Sequence, residues 1–173
     1  MKIKAPIMEV ESRLLPAQKV AYIRHYGEYG LEPTRRTLNR LLLWATSRKL
    51  EGKILGIPWH NPRVTAPEEC CYDACITVPP DFETQHPVVE TQTLEAGTYL
   101  VRRCHSVQGD LETPWQEFLA WYHESDWEMA DEPCFEIYTD QSYQDPSGNW
   151  SLELYLPVYP KQAFSDEFAQ PHP

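Results

Sequence analysis

At 173 residues with 42% apolar content, the chain is long enough to bury one substantial core, and a single domain is the default. Its 26 acidic against 15 basic side chains leave a net charge of −11, which argues against direct nucleic-acid binding, because such a protein needs a basic footprint to displace counterions from phosphates. No run approaches the ~18 apolar residues of a membrane span and no apolar stretch follows Met1-Lys2-Ile3-Lys4 as in a signal peptide, so a cytoplasmic protein without membrane contact is expected.

The residues from about 8 to 26 alternate and are rich in β-branched and aromatic types, which predicts two strands broken near Pro16-Ala17. Leu38, Leu41, Leu42 and Ala45 then form one apolar helix face, with Pro33 suited to its first turn. Arg35, Arg36, Arg40, Arg48 and Lys49 read as the solvated side of that helix. Strands follow at about 54–60 and 72–78, separated by a loop whose Pro62 and Pro67 block helix and ladder alike. Two more strands, near 88–94 and 98–107, lead to a second helix, for which Thr113, Pro114 and Gln116 predict N-cap, N1 and N3 of a capping box. Trp115, Phe118, Leu119 and Tyr122 give its apolar face. Strands at about 134–139 and 150–157 close a hairpin around Asp145-Pro146-Ser147-Gly148-Asn149.

The order strand, strand, helix, strand, strand occurs twice, and the words repeat with it. Leu15-Pro16-Ala17 is echoed by Leu94-Glu95-Ala96, Val20-Ala21-Tyr22 by Tyr99-Leu100-Val101, and Gly30 by Gly109 at the same offset. One residue short of that offset, Ala74, Ile76, Val78 and Pro79 fall on Leu152, Leu154, Leu156 and Pro157. Such order argues for a duplicated unit. The expectation is an α+β domain over residues 1–160 (repeats at about 7–80 and 87–160) with a flexible tail at 161–173. It would contain two antiparallel sheets, each backed by a helix, related by a pseudo-twofold axis around a central groove.

Strand periodicity then nominates a site. Leu152, Leu154 and Leu156, with Phe135 and Ile137 on the partner strand, are expected under the helix. That arrangement leaves Glu136, Tyr138, Glu153 and Tyr155 on the open face. At the repeat offsets, Ile57 and Trp59 oppose Glu136 and Tyr138, and Cys75 opposes Glu153, giving a groove with one apolar and one acidic wall. It would suit an apolar or cationic small molecule. The six Trp and ten Tyr exceed what two small cores need, which favours this reading over a sheet showing an ordinary wet face. Trp115 and Tyr22 complete the candidate lining. His25, His60 and His105 read as surface or hydrogen-bonded histidines. The cysteines, Cys70, Cys71, Cys75, Cys104 and Cys134, are odd in number and lack zinc-site spacing, so reduced thiols are expected, without metal or cofactor.

Gly56-Ile57-Pro58-Trp59-His60-Asn61-Pro62, Tyr72-Asp73-Ala74-Cys75-Ile76-Thr77-Val78-Pro79 and Pro133-Cys134-Phe135-Glu136-Ile137-Tyr138 resemble the GyrI-like small-molecule-binding domain, also the effector-binding half of many AraC-type regulators. Gly109 to Phe118 and Glu153-Leu154-Tyr155 are similar to the stand-alone DNA gyrase inhibitory proteins. The resemblance runs over roughly residues 7–160. It implies duplicated, SH2-like β-α-β-β units with a ligand groove between them and marks Glu136 as the match to the family's groove glutamate. It departs from the family where His60 replaces an acid and where Gly27-Glu28-Tyr29 replaces Gly-Pro-Tyr. Three functions follow as expectations: a non-enzymatic binder that sequesters or senses a hydrophobic or cationic toxin or drug; an inhibitor of DNA gyrase acting by protein contact; and a hydrolase of cyclopropane-bearing electrophilic toxins, with Glu136 and Tyr138 as its catalytic pair.

Overall fold

The computed structural model of the chain describes residues 8–161. In chain order the elements are β1 (Val10–Leu15), β2 (Gln18–Tyr26), α1 (Leu31–Ser47), β3 (Ile54–Pro58), β4 (Cys71–Thr77), β5 (Glu90–Leu94), β6 (Gly97–His105), α2 (Glu112–His123), β7 (Trp127–Met129), β8 (Phe135–Tyr138) and β9 (Ser151–Pro160). The tail expected from residue 161 lies outside the described residues, apart from Lys161.

The nine strands form one antiparallel sheet, ordered β1-β6-β9-β8-β3-β4-β2-β5 with β7 added to β9, where two sheets were expected. The seam is the pairing of β3 with β8 through Leu55↔Ile137 and Gly56↔Glu136. Joining there satisfies two edges that would otherwise present unpaired backbone groups.

Exchanging the two halves leaves the strand order unchanged, and the registers agree in detail. Leu15 pairs with Gly97 as Leu94 pairs with Gln18. Arg24 pairs with Asp73 as Arg103 pairs with Glu153, and Ile57 faces Asp73 as Ile137 faces Glu153. These pairings correct the correspondences read from the sequence. Gly56, not Ile57, is the counterpart of Glu136, and Asp73, not Cys75, is that of Glu153. The correspondence shifts by one residue between β2/β6 and the later strands, and the strand period of two lets β4 slip by two residues against β9 with its apolar set still matched.

Helix α1 buries Leu38, Leu41, Trp44 and Ala45 against Ala21, Ile23, Ala74 and Ile76. Pro33 sits in its first turn, where a missing N–H costs nothing. Helix α2 lays Trp115 and Phe118 on Leu100, Leu154 and Leu156. It begins at Glu112, one residue before the expected Thr113 cap. Asp110 accepts the Thr113 amide at 3.1 Å and its hydroxyl at 2.7 Å, so a carboxylate supplies the acceptor that the Thr113 hydroxyl was expected to provide. Gln116 turns away from the helix end to donate to Asn61 Oδ1 at 2.9 Å.

Both helices lie on the same face of the sheet. On the other, a helix-free apolar cluster of Val20, Leu55, Ile57, Cys75, Phe135 and Tyr155 is nevertheless buried. Stacked Phe135 and Tyr155 rings, 4.8 Å apart, with Tyr99 edge-on, fill its centre. Only a curled sheet can remove such a face from water. Among the described residues no helix is long and apolar enough to cross a membrane.

Candidate functional site

Two helices laid on the same face of one sheet leave a gap above the seam, and here it is a cavity of about 670 Å³, within the usual range for small-molecule sites. Its walls include Tyr29, Leu111, Trp115, Leu119, Met129 and Pro133, while Glu28, Asp110, Glu112 and Glu132 make its rim acidic. Across the mouth, the loop after β3 is tied to α2 by Gln116–Asn61 and by the Arg63–Glu112 ion pair at 3.4 Å.

Glu136 lies at the base, 1% exposed. Trp115 Nε1 donates to its Oε2 at 2.9 Å, and Oε1 has no protein partner. Burial pushes its carboxyl up to about 7, against the smaller opposing effect of the Trp115 hydrogen bond. The Tyr72 ring borders the same space. Its hydroxyl lies over Gly56, the cross-strand partner of Glu136, so closely that a Cβ at Gly56 would collide with it. Glycine is required there to let that hydroxyl approach. Tyr138 Oη lies near Tyr72 Oη, yet neither makes a hydrogen bond of good geometry. Burial first, and then neighbouring groups including Glu136, hold both phenols well above their ordinary range. The floor is a buried carboxylate poised to change charge near neutrality, beside two uncommitted hydroxyls. Such a group can anchor a cation or exchange a proton.

The nominated residues divide between the two faces. Glu136 and Trp115 line the cavity, and Tyr138 lies on the same face beneath it. Trp59 borders the rim, but its indole turns to the opposite face, donating to Asp73 Oδ2 at 2.7 Å under the Arg24 guanidinium. Ile57, Glu153, Tyr155 and Tyr22 belong to that opposite face. Tyr155 donates to Glu153 at 2.9 Å, Arg13 reaches both, and Tyr22 donates to Glu90 at 3.0 Å. The expectation that Glu136 and Tyr138 share a face with Glu153 and Tyr155 is therefore corrected. The pairing is Phe135↔Tyr155 and Glu136↔Leu154, so Glu136 lies on the helix side with the leucines. The acidic groove expected on the open face is instead the filled apolar cluster.

Tyr72, Tyr29 and His60 were not nominated. His60 lines the cavity with Nδ1 buried and unpartnered, unlike an ordinary surface histidine; the available signal was its place in the Trp59-His60-Asn61-Pro62 stretch, where the family resemblance implied an acid. Tyr29 links β4 to this loop, donating to Cys71 O at 2.7 Å and accepting from the His60 amide. Among the described residues, no group of three or more His, Cys, Asp or Glu is arranged to hold a metal ion.

Comparison with known proteins agrees with this architecture. A DNA gyrase inhibitor of Pantoea sp. (strain At-9b) is 36% identical over 148 residues, covering 84% of this chain and 94% of that one. A DNA gyrase inhibitor of Escherichia coli (strain K12) is 30% identical over 135 residues, covering 75% and 84%. In fold, the crystal structure of the EcmrR C-terminal domain superposes with a TM-score of 0.66 at 14% identity, over 89% of this chain and 99% of that one. With residues 8–159 matching the GyrI-like small molecule binding domain, the chain belongs to that family.

Proposed function

We infer that the protein binds a hydrophobic, cationic small molecule in the cavity between α1 and α2, sequestering or sensing it. The observation that carries this reading is Glu136, a fully buried carboxylate with one free oxygen at the base of an aromatic-walled space. A cation there offsets the cost of burying charge, and the acidic rim favours its approach. Family membership supports a small-molecule ligand. The matching registers support descent of both halves from one duplicated β-α-β-β unit, and the unpaired thiols among the described residues suit a cytoplasmic setting. Titrating intrinsic tryptophan fluorescence with lipophilic cations tests the reading. Saturable quenching is expected, weakened by about tenfold or more in Glu136→Gln, the equivalent of ~1.4 kcal/mol; equal affinities for the two proteins would remove Glu136 as anchor.

A second reading, contact with DNA gyrase, rests on relatives named DNA gyrase inhibitor and on the net charge of −11. Unchanged supercoiling by gyrase at micromolar protein would count against it. Hydrolysis with Glu136 activating water draws on the same raised carboxyl, with the uncommitted Tyr138 and Tyr72 hydroxyls beside it, and product formation that survives Glu136→Gln would exclude it.

A further inference from the structure

We propose that the ligand meets the cavity floor with a protonated amine that keeps its N–H donors, a primary or secondary ammonium or an amidinium, and that quaternary cations are discriminated against. The proposal rests on the cation-binding reading above and narrows it.

The floor differs from a cage built for a quaternary centre. Such cages present aromatic faces to the charge, whose methyl groups hide it from hydrogen bonding. Here two aromatic residues that line the cavity with the carboxylate offer polar groups instead. Trp115 directs its N–H edge at Glu136 Oε2 and uses its ring face on Phe118, 5.9 Å away and nearly parallel. Tyr72 brings its hydroxyl over Gly56, the residue paired with Glu136, and meets Tyr29 with its rings at 69°. Gly56 is the one residue type that admits the hydroxyl so close.

Two of the unpartnered groups at the floor belong to residues that border the cavity, Glu136 Oε1 and Tyr72 Oη. Glu136 is 1% exposed and Tyr72 4%, and both border the cavity. An ionised carboxylate oxygen only accepts, and a phenol both donates and accepts. An ammonium can donate one N–H to Oε1 and a second to Oη, pairing both groups in a charge-assisted arrangement. A trimethylammonium matches the charge but donates nothing, so the same two atoms stay buried and unpaired. Sites with committed buried polar groups reject ligands that leave them unpaired, more strongly than they distinguish ligands by size.

The test is calorimetric titration of the wild-type protein, at mildly alkaline pH where Glu136 is ionised, with naphthylmethylammonium and its N,N,N-trimethyl counterpart. The primary amine is expected to bind at least about tenfold more tightly, the equivalent of ~1.4 kcal/mol. Tyr72→Phe, checked by circular dichroism and thermal melting, should narrow that ratio by weakening only the primary amine. Equal or tighter binding of the trimethyl compound overturns the proposal while leaving cation binding intact. Absence of binding by both at millimolar concentration overturns the cation-binding reading, and the proposal with it.

Discussion

Asp73 and Glu136 are both buried in the middle of one sheet, on opposite faces, and their surroundings differ sharply. Asp73 accepts two hydrogen bonds from Arg24 at 2.7 and 2.8 Å, one from Trp59 at 2.7 Å and one from Gln92 at 2.9 Å. Glu136 accepts one, from Trp115, and opens onto a cavity. A carboxylate saturated by its own protein has no capacity left for a ligand; one left unsaturated at a cost to stability does. The face nominated from sequence as the binding surface is the saturated one, and the cavity lies on the other.

The largest expected effect comes from breaking saturation. Arg24→Met should destabilise the protein by about 3–5 kcal/mol in urea denaturation, the usual consequence of stranding one partner of a buried ion pair, while leaving ligand affinity nearly unchanged. A loss under about 1 kcal/mol would mean that Trp59 and Gln92 suffice for Asp73.

The next effect is in pH, and the two faces should have opposite signs. Glu136 titrates near 7 when folded against 4.5 as its ordinary value, so the folded state holds the proton more tightly. Its contribution to stability is fully present below about 4.5 and is lost as pH rises to about 7, on the order of 3 kcal/mol. Glu153 is the reverse case. Burial alone would raise its carboxyl, but hydrogen bonds from Arg13 and Tyr155 outweigh that and hold it below its ordinary range. Its contribution is present above its unfolded pKa and is lost as pH falls through the lowered folded value. Thermal melts across pH should separate the two, with Glu136→Gln flattening the neutral limb and sparing the acid limb. A neutral limb unchanged in that variant would mean that Glu136 is not the group responsible.

The smallest effect compares the two halves within the back face. Arg103 stands where Arg24 stands in the other half, but its side chain is 82% exposed and reaches Glu153 at 3.4 Å. Arg103→Ala should cost ~0.5 kcal/mol and less in high salt. A cost approaching that of Arg24→Met would mean that the two ion pairs are energetic equivalents as well as positional ones.

Most of the scaffold was legible because it follows from period and chemistry. Leu38, Leu41 and Ala45 announced α1, Trp115 and Phe118 announced α2, and Leu152, Leu154 and Leu156 marked the helix side of β9. Strand β8 was not legible in the same way. Phe135, Glu136, Ile137 and Tyr138 are all buried, so alternation gives no guide to which pair faces the helices, and a wrong choice sends every side chain to the other face. Glu136 was singled out from the sequence and placed on the wrong side. Tyr72 had no sequence signal of its own, because its role depends on the missing side chain at Gly56, which is adjacent only once β3 and β4 pair.

The pairing of Gly56 with Glu136 at the seam also bears on the stoichiometry of the proposed site. The two residues are counterparts of one another, so the chain carries a single floor where an ideally symmetric duplicate would have two or none. Two glutamates there would set like charges directly across a strand pair, and two glycines would leave no charge at all. On the cation-binding reading, a protein built as a near-palindrome takes one ligand per chain, entering with one orientation.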